Sequence, residues 1–187
     1  MAKKTVDNRA RLLQAAEKTT YRYRFGNTAI ADIAKEAQIP LGNFYYYFKT
    51  KDEIGDAIVK LRVSRFGKLL QEFEKAGSPK ERLCAFVQVK IKNRKELARS
   101  GCPVGTLCSE LRKLGGTAAG KSRVLFATAL DWMEKQFREL GKGAESRGLA
   151  VHLLSATQGV SGLAHTFHDP GLIEKEAERL KEWIRGL

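Results

Sequence analysis

Apolar residues recur along this chain at spacings of three and four, which is the period of amphipathic helices. No stretch alternates apolar and polar residues in the way that a half-buried strand does. Proline and glycine separate the periodic segments, so the connections should be short turns. The pattern predicts helices at about residues 7–24, 29–37, 41–47, 51–75, 79–99, 104–114, 118–140, 145–167 and 170–184.

Several of these helices begin at residues that are typical of helix starts. Thr28 is the expected N-cap of the second helix. Thr50 and Glu53 have the spacing of a capping box at the start of the fourth. Residues 78–81 combine an N-cap serine, a proline and a glutamate, and Asp169 precedes another proline. These residues place the helix starts more firmly than the apolar pattern alone.

About nine helices without a strand predict an all-α fold. Residues 1–50 hold three helices, two of them short and joined by a tight turn, which predicts an N-terminal helix-turn-helix domain. Residues 51–187 should form a C-terminal helical domain, with the helix from 51 to 75 connecting the two. A chain of 187 residues is long enough for this division.

The charge of the chain is strongly basic and uneven. Thirty-four Lys and Arg against 21 Asp and Glu give a net charge of +13. Residues 1–99 carry 22 of the basic and 11 of the acidic side chains. A basic first half favours a polyanionic partner such as nucleic acid, and a solvated basic surface is the equal alternative.

Several classes of protein are disfavoured by what the sequence lacks. No apolar run approaches the roughly 20 residues of a membrane span, and no secretory signal opens the chain. Nucleotide-binding, serine-hydrolase and zinc-protease motifs are missing, and the three cysteines lack metal-ligand spacing. His165 and His168 beside Asp169 are too weak a pattern to predict a metal site. We therefore expect a cytoplasmic protein that binds no membrane, cofactor or metal and is not an enzyme.

The third helix has the residues of a DNA-recognition helix. Phe44 and Phe48 should pack into the small N-terminal core. Gly42 allows close approach to DNA, and the amide of Asn43 suits the edge of adenine. The tyrosine hydroxyls that follow can donate to phosphate, and Lys51 adds a cation.

The sequence TAIADIAKEAQIPLGNFYYYFKTKDEIGDAI, residues 28–58, closely resembles the DNA-binding domain of TetR/AcrR-type transcriptional regulators. The resemblance implies a homodimer that binds a near-palindromic operator and releases it when a small molecule enters the C-terminal domain. It implies phosphate contacts at Thr28, Tyr45, Tyr47 and Lys51, and base contacts at Leu41, Gly42, Asn43 and Tyr46.

The chain departs from that family at the turn. Gln38 stands where glycine is usual, so a left-handed residue there would cost about 1 kcal/mol. Pro40 replaces a capping serine or threonine, so the third helix should lack a side-chain cap. Thr19-Thr20 replaces a Leu-Phe pair, and Arg24 lies near the usual glycine. These differences concern packing and not the fold.

Two cations interrupt the apolar stripe of the fifth predicted helix. Lys90 and Arg94 indicate either a pocket for an anionic or carbonyl-bearing effector, or side chains that snorkel or pair with Glu110 or Asp131. The family resemblance implies a pocket between the fifth to eighth predicted helices. The candidate lining residues are Phe86, Lys90, Arg94, Leu107, Leu111, Phe126 and Trp132.

The last two predicted helices carry a face of small residues and an apolar stripe. The resemblance implies that they form a four-helix interface with a second copy, while burial within one chain is the alternative. The candidate interface residues are Ser155, Gly159, Gly162, Thr166, Ile173, Leu180, Trp183 and Ile184.

The expected function is that of a repressor released from a palindromic operator by a small-molecule effector. Two alternatives remain. Cys102, between Gly101 and Pro103 near a helix start, could sense oxidants or electrophiles instead of forming a structural turn. The chain could also be a basic nucleic-acid binder without small-molecule control.

Overall fold

The computed structural model describes residues 2–187, with side chains described from residue 8 onward. The described residues form ten α-helices and one short 3₁₀ helix and contain no strand, which confirms the predicted all-α class. The helices are α1 (Ala2–Tyr23), α2 (Ile30–Glu36), α3 (Leu41–Tyr47), α4 (Lys51–Phe73), α5 (Pro79–Lys92), α6 (Arg94–Ser100), α7 (Pro103–Leu114), α8 (Gly116–Glu139), α9 (Ser146–Phe167) and α10 (Pro170–Gly186), and the 3₁₀ helix is Gly143–Glu145.

The predicted helix at residues 79–99 is observed as two helices, α5 and α6. Asn93 separates them with φ −100° and ψ 10°. Its side-chain amide donates to the Val89 carbonyl at 2.9 Å and competes with the helical pattern. This single residue raises the helix count of the described chain from the expected nine to ten.

Most of the predicted helix starts are confirmed. At α5, Glu81 N donates to Ser78 Oγ at 3.3 Å, and the Glu81 carboxylate accepts from Ser78 N at 2.7 Å. At α10, Asp169 accepts from Gly171 N at 2.7 Å. Glu53 N donates to Thr50 Oγ1 at 3.1 Å at the start of α4.

The predicted N-cap of α2 is wrong. Ala29 occupies the N-cap position, and its N–H donates to the Asp32 carboxylate at 2.9 Å. Thr28 is buried, and its hydroxyl donates backwards to the Arg24 carbonyl at 2.8 Å. Thr28 therefore closes the preceding turn instead of capping α2.

The chain divides into two compact units. The first contains Met1–Val63 and Thr106–Val124, and the second contains Ser64–Gly105 and Leu125–Leu187. Helices α4, α7 and α8 contribute residues to both units. The predicted boundary between residues 50 and 51 stays a prediction.

The first unit has its own apolar core. Its fully buried side chains come from α1, α2, α3, α4, α7 and the residue that follows α3, and they include Leu12, Ile33, Phe44, Phe48, Ile54, Ile58 and Leu111. The Thr19-Thr20 pair is accommodated because both hydroxyls bond within α1, Thr19 to the Ala15 carbonyl at 2.9 Å and Thr20 to the Ala16 carbonyl at 2.7 Å. Buried polar side chains thus have acceptors without a partner helix.

The first unit also uses a segment from later in the chain. Glu110 on α7 accepts a hydrogen bond from Phe25 N at 2.6 Å. Asp52 accepts from the amide and the hydroxyl of Thr117 at 2.9 and 2.7 Å. Residues 106–124 therefore complete the N-terminal helices.

The second unit is built around a larger core that α5, α8, α9 and α10 form together. Its centre contains the fully buried Leu83, Met133, Phe137 and Leu153. No helix in the described part of the chain is both long and apolar enough to cross a membrane.

Candidate nucleic-acid interface and effector cavity

A strained turn joins α2 to α3. Gln38 has φ 55°, so the predicted left-handed residue is confirmed. Ile39 N donates to the Ala34 carbonyl at 2.9 Å and Gln38 N to the Lys35 carbonyl at 3.0 Å, which satisfies the last carbonyls of α2. The turn thereby ends α2 and redirects the chain into α3.

Helix α3 begins without a side-chain cap, as predicted from Pro40. The Pro40 carbonyl accepts from Asn43 N at 2.9 Å. The start of α3 is therefore held by backbone bonds and by the fixed φ of proline.

Two aromatic anchors fix which face of α3 is exposed. Phe44 and Phe48 are buried, as predicted, and their rings lie 5.8 Å apart. The opposite face carries Leu41, Tyr45 and Tyr46, which are 45%, 46% and 70% exposed. Gly42 and Asn43 are exposed on the same short helix, and Tyr47 is half-buried. An exposed aromatic and amide surface on a helix anchored from behind suits insertion into a DNA groove.

Two side chains that were predicted to bind phosphate, Lys51 and Thr28, form hydrogen bonds within the chain. The Lys51 ammonium donates to the Gly26 carbonyl at 2.9 Å and lies 5.1 Å from the centre of the Phe25 ring. Burial lowers the pKa of Lys51, while the charges of Asp32 and Glu110 act in the opposite direction. Thr28 donates its hydroxyl to a carbonyl, as described above. Neither side chain is presented as freely as those of α3.

Sequence reasoning missed two cations beside α3. The Arg9 guanidinium lies 4.9 Å from the centre of the Phe48 ring. Lys49 donates to the Tyr45 carbonyl at 2.7 Å and is exposed. Lys49 could have been found from its place directly after α3, where a cation near the last carbonyls is favourable. The contact of Arg9 depends on how α1 packs and has no local pattern.

The second unit contains a small cavity of about 40 Å³. Three of the predicted pocket residues line it: Phe86, Lys90 and Phe126. The complete set of lining residues is Phe66, Phe86, Lys90, Cys102, Val104, Leu125, Phe126, Ala129, Leu154 and Gln158.

The other predicted pocket residues lie elsewhere. Arg94 reaches Glu174 at 3.4 Å and donates to the Ile91 carbonyl at 3.0 Å. Trp132 is buried, and its indole N–H donates to Glu74 at 2.8 Å. Leu107 and Leu111 are buried residues of the first unit. These four predicted pocket residues do not line this cavity, because an apolar stripe alone does not distinguish core from cavity.

The cavity wall includes a cysteine in an unusual setting. Cys102 occupies the N-cap position of α7, and Gly105 N donates to its sulfur at 3.5 Å. Burial on its own raises the pKa of this thiol. The charge of Lys90, the amides of Gly105 and Val104 and the Gln158 side chain outweigh burial, so the pKa of Cys102 lies below its ordinary value.

The predicted dimer face is exposed on α9 and buried on α10. Ser155, Gly159, Gly162 and Thr166 are exposed. The apolar side chains that are exposed on the same helix are Val151, Leu163 and Phe167, at 45%, 54% and 68%.

The apolar stripe of α10 corrects the prediction. Ile173, Leu180 and Ile184 are buried in the core of their own chain and offer no surface to a second copy. Trp183 is half-buried, with its ring 4.9 Å from His152 and 5.9 Å from Phe137. The exposed side of α10 is mainly charged.

Among the described side chains, no group of three histidine, cysteine or acidic residues could hold a metal ion. His165 directs Nδ1 toward the Ala98 carbonyl at 3.2 Å. Its ring lies 6.2 Å from that of His168.

Comparison with known proteins identifies the helix-turn-helix. Residues 12–58 match the family model of the bacterial regulatory proteins of the tetR family. Residues 12–58 are a tetR-family domain. The matched range contains every residue that was predicted to contact DNA.

Proteins that this chain resembles in sequence are transcriptional regulators. The transcriptional regulator AcuR of Cereibacter sphaeroides is 27% identical over 146 residues, covering 76% of this chain and 63% of AcuR. The HTH-type transcriptional repressor NemR of Escherichia coli is 27% identical over 84 residues, covering 44% of this chain and 42% of NemR. The chain thus spans less than two thirds of these relatives.

The solved structures of TetR-family proteins establish the fold. A TetR-family transcriptional regulator from Agrobacterium tumefaciens matches with a TM-score of 0.85 at 19% identity and covers 95% of this chain and 97% of its own. Such a likeness extends over both units although the matched family range covers only the first.

Proposed function

We propose that this protein is a cytoplasmic, sequence-specific DNA-binding repressor that works as a homodimer and leaves its operator when a small-molecule effector binds. The observation that carries the proposal is the exposed face of α3, on which Asn43 and Tyr46 are exposed while Phe44 and Phe48 are buried. The proposal assigns the chain no enzymatic activity.

DNA recognition follows from the chemistry of that face. The amide of Asn43 can accept and donate at once, which suits the N6 and N7 atoms of adenine in the major groove. The hydroxyls of Tyr45 and Tyr47 can donate to phosphates and fix the register of the helix. The excess of basic side chains supplies attraction to DNA that does not depend on sequence.

Dimerisation is supported by the exposed side of α9. Its glycines and Ser155 permit close approach of a second helix, and Leu163 and Phe167 supply apolar area that a partner would bury. A two-fold pair would present two α3 helices to successive major-groove faces, about 34 Å apart on DNA.

The test is selection of random DNA on the purified protein, followed by affinity measurements at two salt concentrations. An enriched inverted repeat is expected. Uniform, strongly salt-dependent binding would refute the repressor and leave the second candidate, a basic nucleic-acid binder without sequence preference, which the net charge of +13 favours.

Two substitutions separate base contacts from phosphate contacts. Asn43→Ala should lower the preference for the selected site by about 1–3 kcal/mol, because it removes the base-reading amide. Lys51→Ala should weaken binding to all sequences and reduce the salt slope by about one. Lys68→Ala, an exposed lysine later on α4, is the matched control for charge and should change neither. An unchanged salt slope in Lys51→Ala would show that Lys51 stays bound to Gly26 and contacts no phosphate.

A further inference from the structure

The cavity in the second unit combines an apolar wall with a small polar cluster. Lys90, Cys102 and Gln158 are its polar lining residues, and they come from α5, the start of α7 and α9. The remaining seven lining residues are apolar. A few convergent polar groups in an apolar cavity orient a small ligand.

The size of the cavity limits what it can hold. One water molecule needs about 10–15 Å³ on this measure, so 40 Å³ suits a molecule of about three to four heavy atoms. Gln158, one of the lining residues, packs closely against Gly105, since a Cβ added there would lie 2.6 Å from Gln158 Oε1. The site therefore selects small molecules.

The three polar groups have complementary chemistry. The Cys102 sulfur accepts from Gly105 N at the positive end of α7, an arrangement that favours the thiolate. Lys90 carries a positive charge beside the Phe86 ring at 5.6 Å, and the Gln158 amide is a second donor. One nucleophile thus lies in the same cavity as two donors that suit a carbonyl oxygen.

We propose that this cavity captures a small α,β-unsaturated carbonyl compound covalently at Cys102, with Lys90 and Gln158 binding its carbonyl oxygen. The inference rests on the proposed repressor function and names the chemical class of its effector.

The reaction needs no oxidant and no leaving group. The thiolate sulfur forms a bond to the β-carbon, and the π electrons of the C=C bond move to give an enolate. The enolate oxygen accepts hydrogen bonds from Lys90 and Gln158. A proton from water then bonds to the α-carbon, so that overall the thiol S–H adds across the double bond.

The other two cysteines provide internal controls. Burial raises the pKa of the half-buried Cys84, although Arg185 and Lys181 act against it. Cys108 is buried and donates its S–H to the Ser122 carbonyl at 3.3 Å. A thiol that donates is protonated and a poor nucleophile. Neither cysteine lines the cavity.

An adduct at Cys102 acts directly on α7. This helix begins at Pro103, next to the modified residue, and from Thr106 onward it belongs to the first unit. Because Gly105 and Gln158 leave no room for a Cβ between them, an adduct larger than the cavity should shift Gln158 or the first turn of α7. A chemical event in the second unit thereby reaches a helix that both units share.

The experiment treats the full-length protein with acrolein at neutral pH, without DNA, and follows the adduct by intact-protein and peptide mass spectrometry. One addition at Cys102 is expected while Cys84 and Cys108 remain unmodified. Propanal, which lacks the C=C bond, should give no thioether. Faster labelling of Cys84 or Cys108, or equal labelling of all three, would overturn the proposal.

Variants test the role of the cavity. Cys102→Ser should abolish the addition, and Cys84→Ser should leave its rate unchanged. Lys90→Met should slow it by about three- to tenfold near pH 7 and move its pH profile upward, because thiolate formation loses its neighbouring charge. Lys90→Arg keeps the charge and should retain most of the rate. An unchanged rate and pH profile in Lys90→Met would overturn the assignment of Lys90.

The two proposals fail in distinguishable ways. Labelling is measured without DNA, so its absence refutes the covalent site whether or not the operator is bound. Full labelling of Cys102 that leaves operator affinity unchanged would overturn the effector role alone. A protein that is labelled at Cys102 but selects no DNA site would refute the repressor.

Discussion

Gln38 is a non-glycine residue in the left-handed region, at the turn before α3. Its side chain is exposed. Replacing Gln38 by glycine should therefore remove backbone strain and remove little else. We expect Gln38→Gly to stabilise the first unit.

The magnitude follows from two opposing effects. A left-handed residue with a Cβ costs about 1–2 kcal/mol relative to glycine. Glycine has more freedom in the unfolded chain, which offsets about 0.4–1 kcal/mol of that gain. The net stabilisation should be about 0.5–1 kcal/mol, or a rise of about 1–4 °C in the midpoint of thermal unfolding for a chain of this size.

Thermal and urea unfolding, followed by circular dichroism, measure this effect. Gln38→Ala is the matched control for loss of the side chain and should leave stability nearly unchanged. Lys35→Gly, in helix α2, should instead destabilise by about 1 kcal/mol. The reasoning is refuted if Gln38→Gly is no more stable than Gln38→Ala, since strain would then be relieved by other means.

Two further predictions concern charge and assembly. Hydrogen bonds from Thr117 lower the pKa of Asp52, so its stabilising contribution is complete above about pH 5 and is lost as pH falls through the lower folded pKa. Urea unfolding between pH 2 and 6 should therefore show that the free energy of unfolding falls less steeply with acid in Asp52→Asn. Equal falls in the two proteins would contradict the role of this bond. The double variant Leu163→Ser, Phe167→Ser should weaken the proposed dimer in sedimentation measurements. Tyr23→Ser, which also changes an exposed apolar side chain, should not weaken it. An unaltered dimer would show that α9 does not form the interface.

The local features of the fold were predictable because their causes are local. The capping groups at Ser78 and Asp169 act over three residues, and their bonds are present. The strain at Gln38 and the missing cap at Pro40 also follow from residue type and position. Thr28 shows the limit, because its hydroxyl had acceptors and donors on both sides and the sequence could not rank them.

The candidate site was harder to predict because its members meet only through packing. Gln158 lies one helical turn after Leu154 on α9, so its place on an inward face could have been found from periodicity. That this face borders a cavity depends on α5 and α9 together. On α10, residues predicted to contact a second copy are buried within their own chain. Ile173 and Leu180 look the same in the sequence whether a partner or the chain itself covers them.

Helix α3 belongs to a unit that the first 63 residues do not complete. Glu110 and Thr117 bond to Phe25 and Asp52, and Ala118 lies where a Cβ on Gly55 would touch it at 3.3 Å. During synthesis, the ribosome must therefore release more than half of the chain before the N-terminal helices acquire all their native partners. If α3 binds DNA as proposed, a nascent chain should gain its final affinity only after residues 106–124 have left the ribosome.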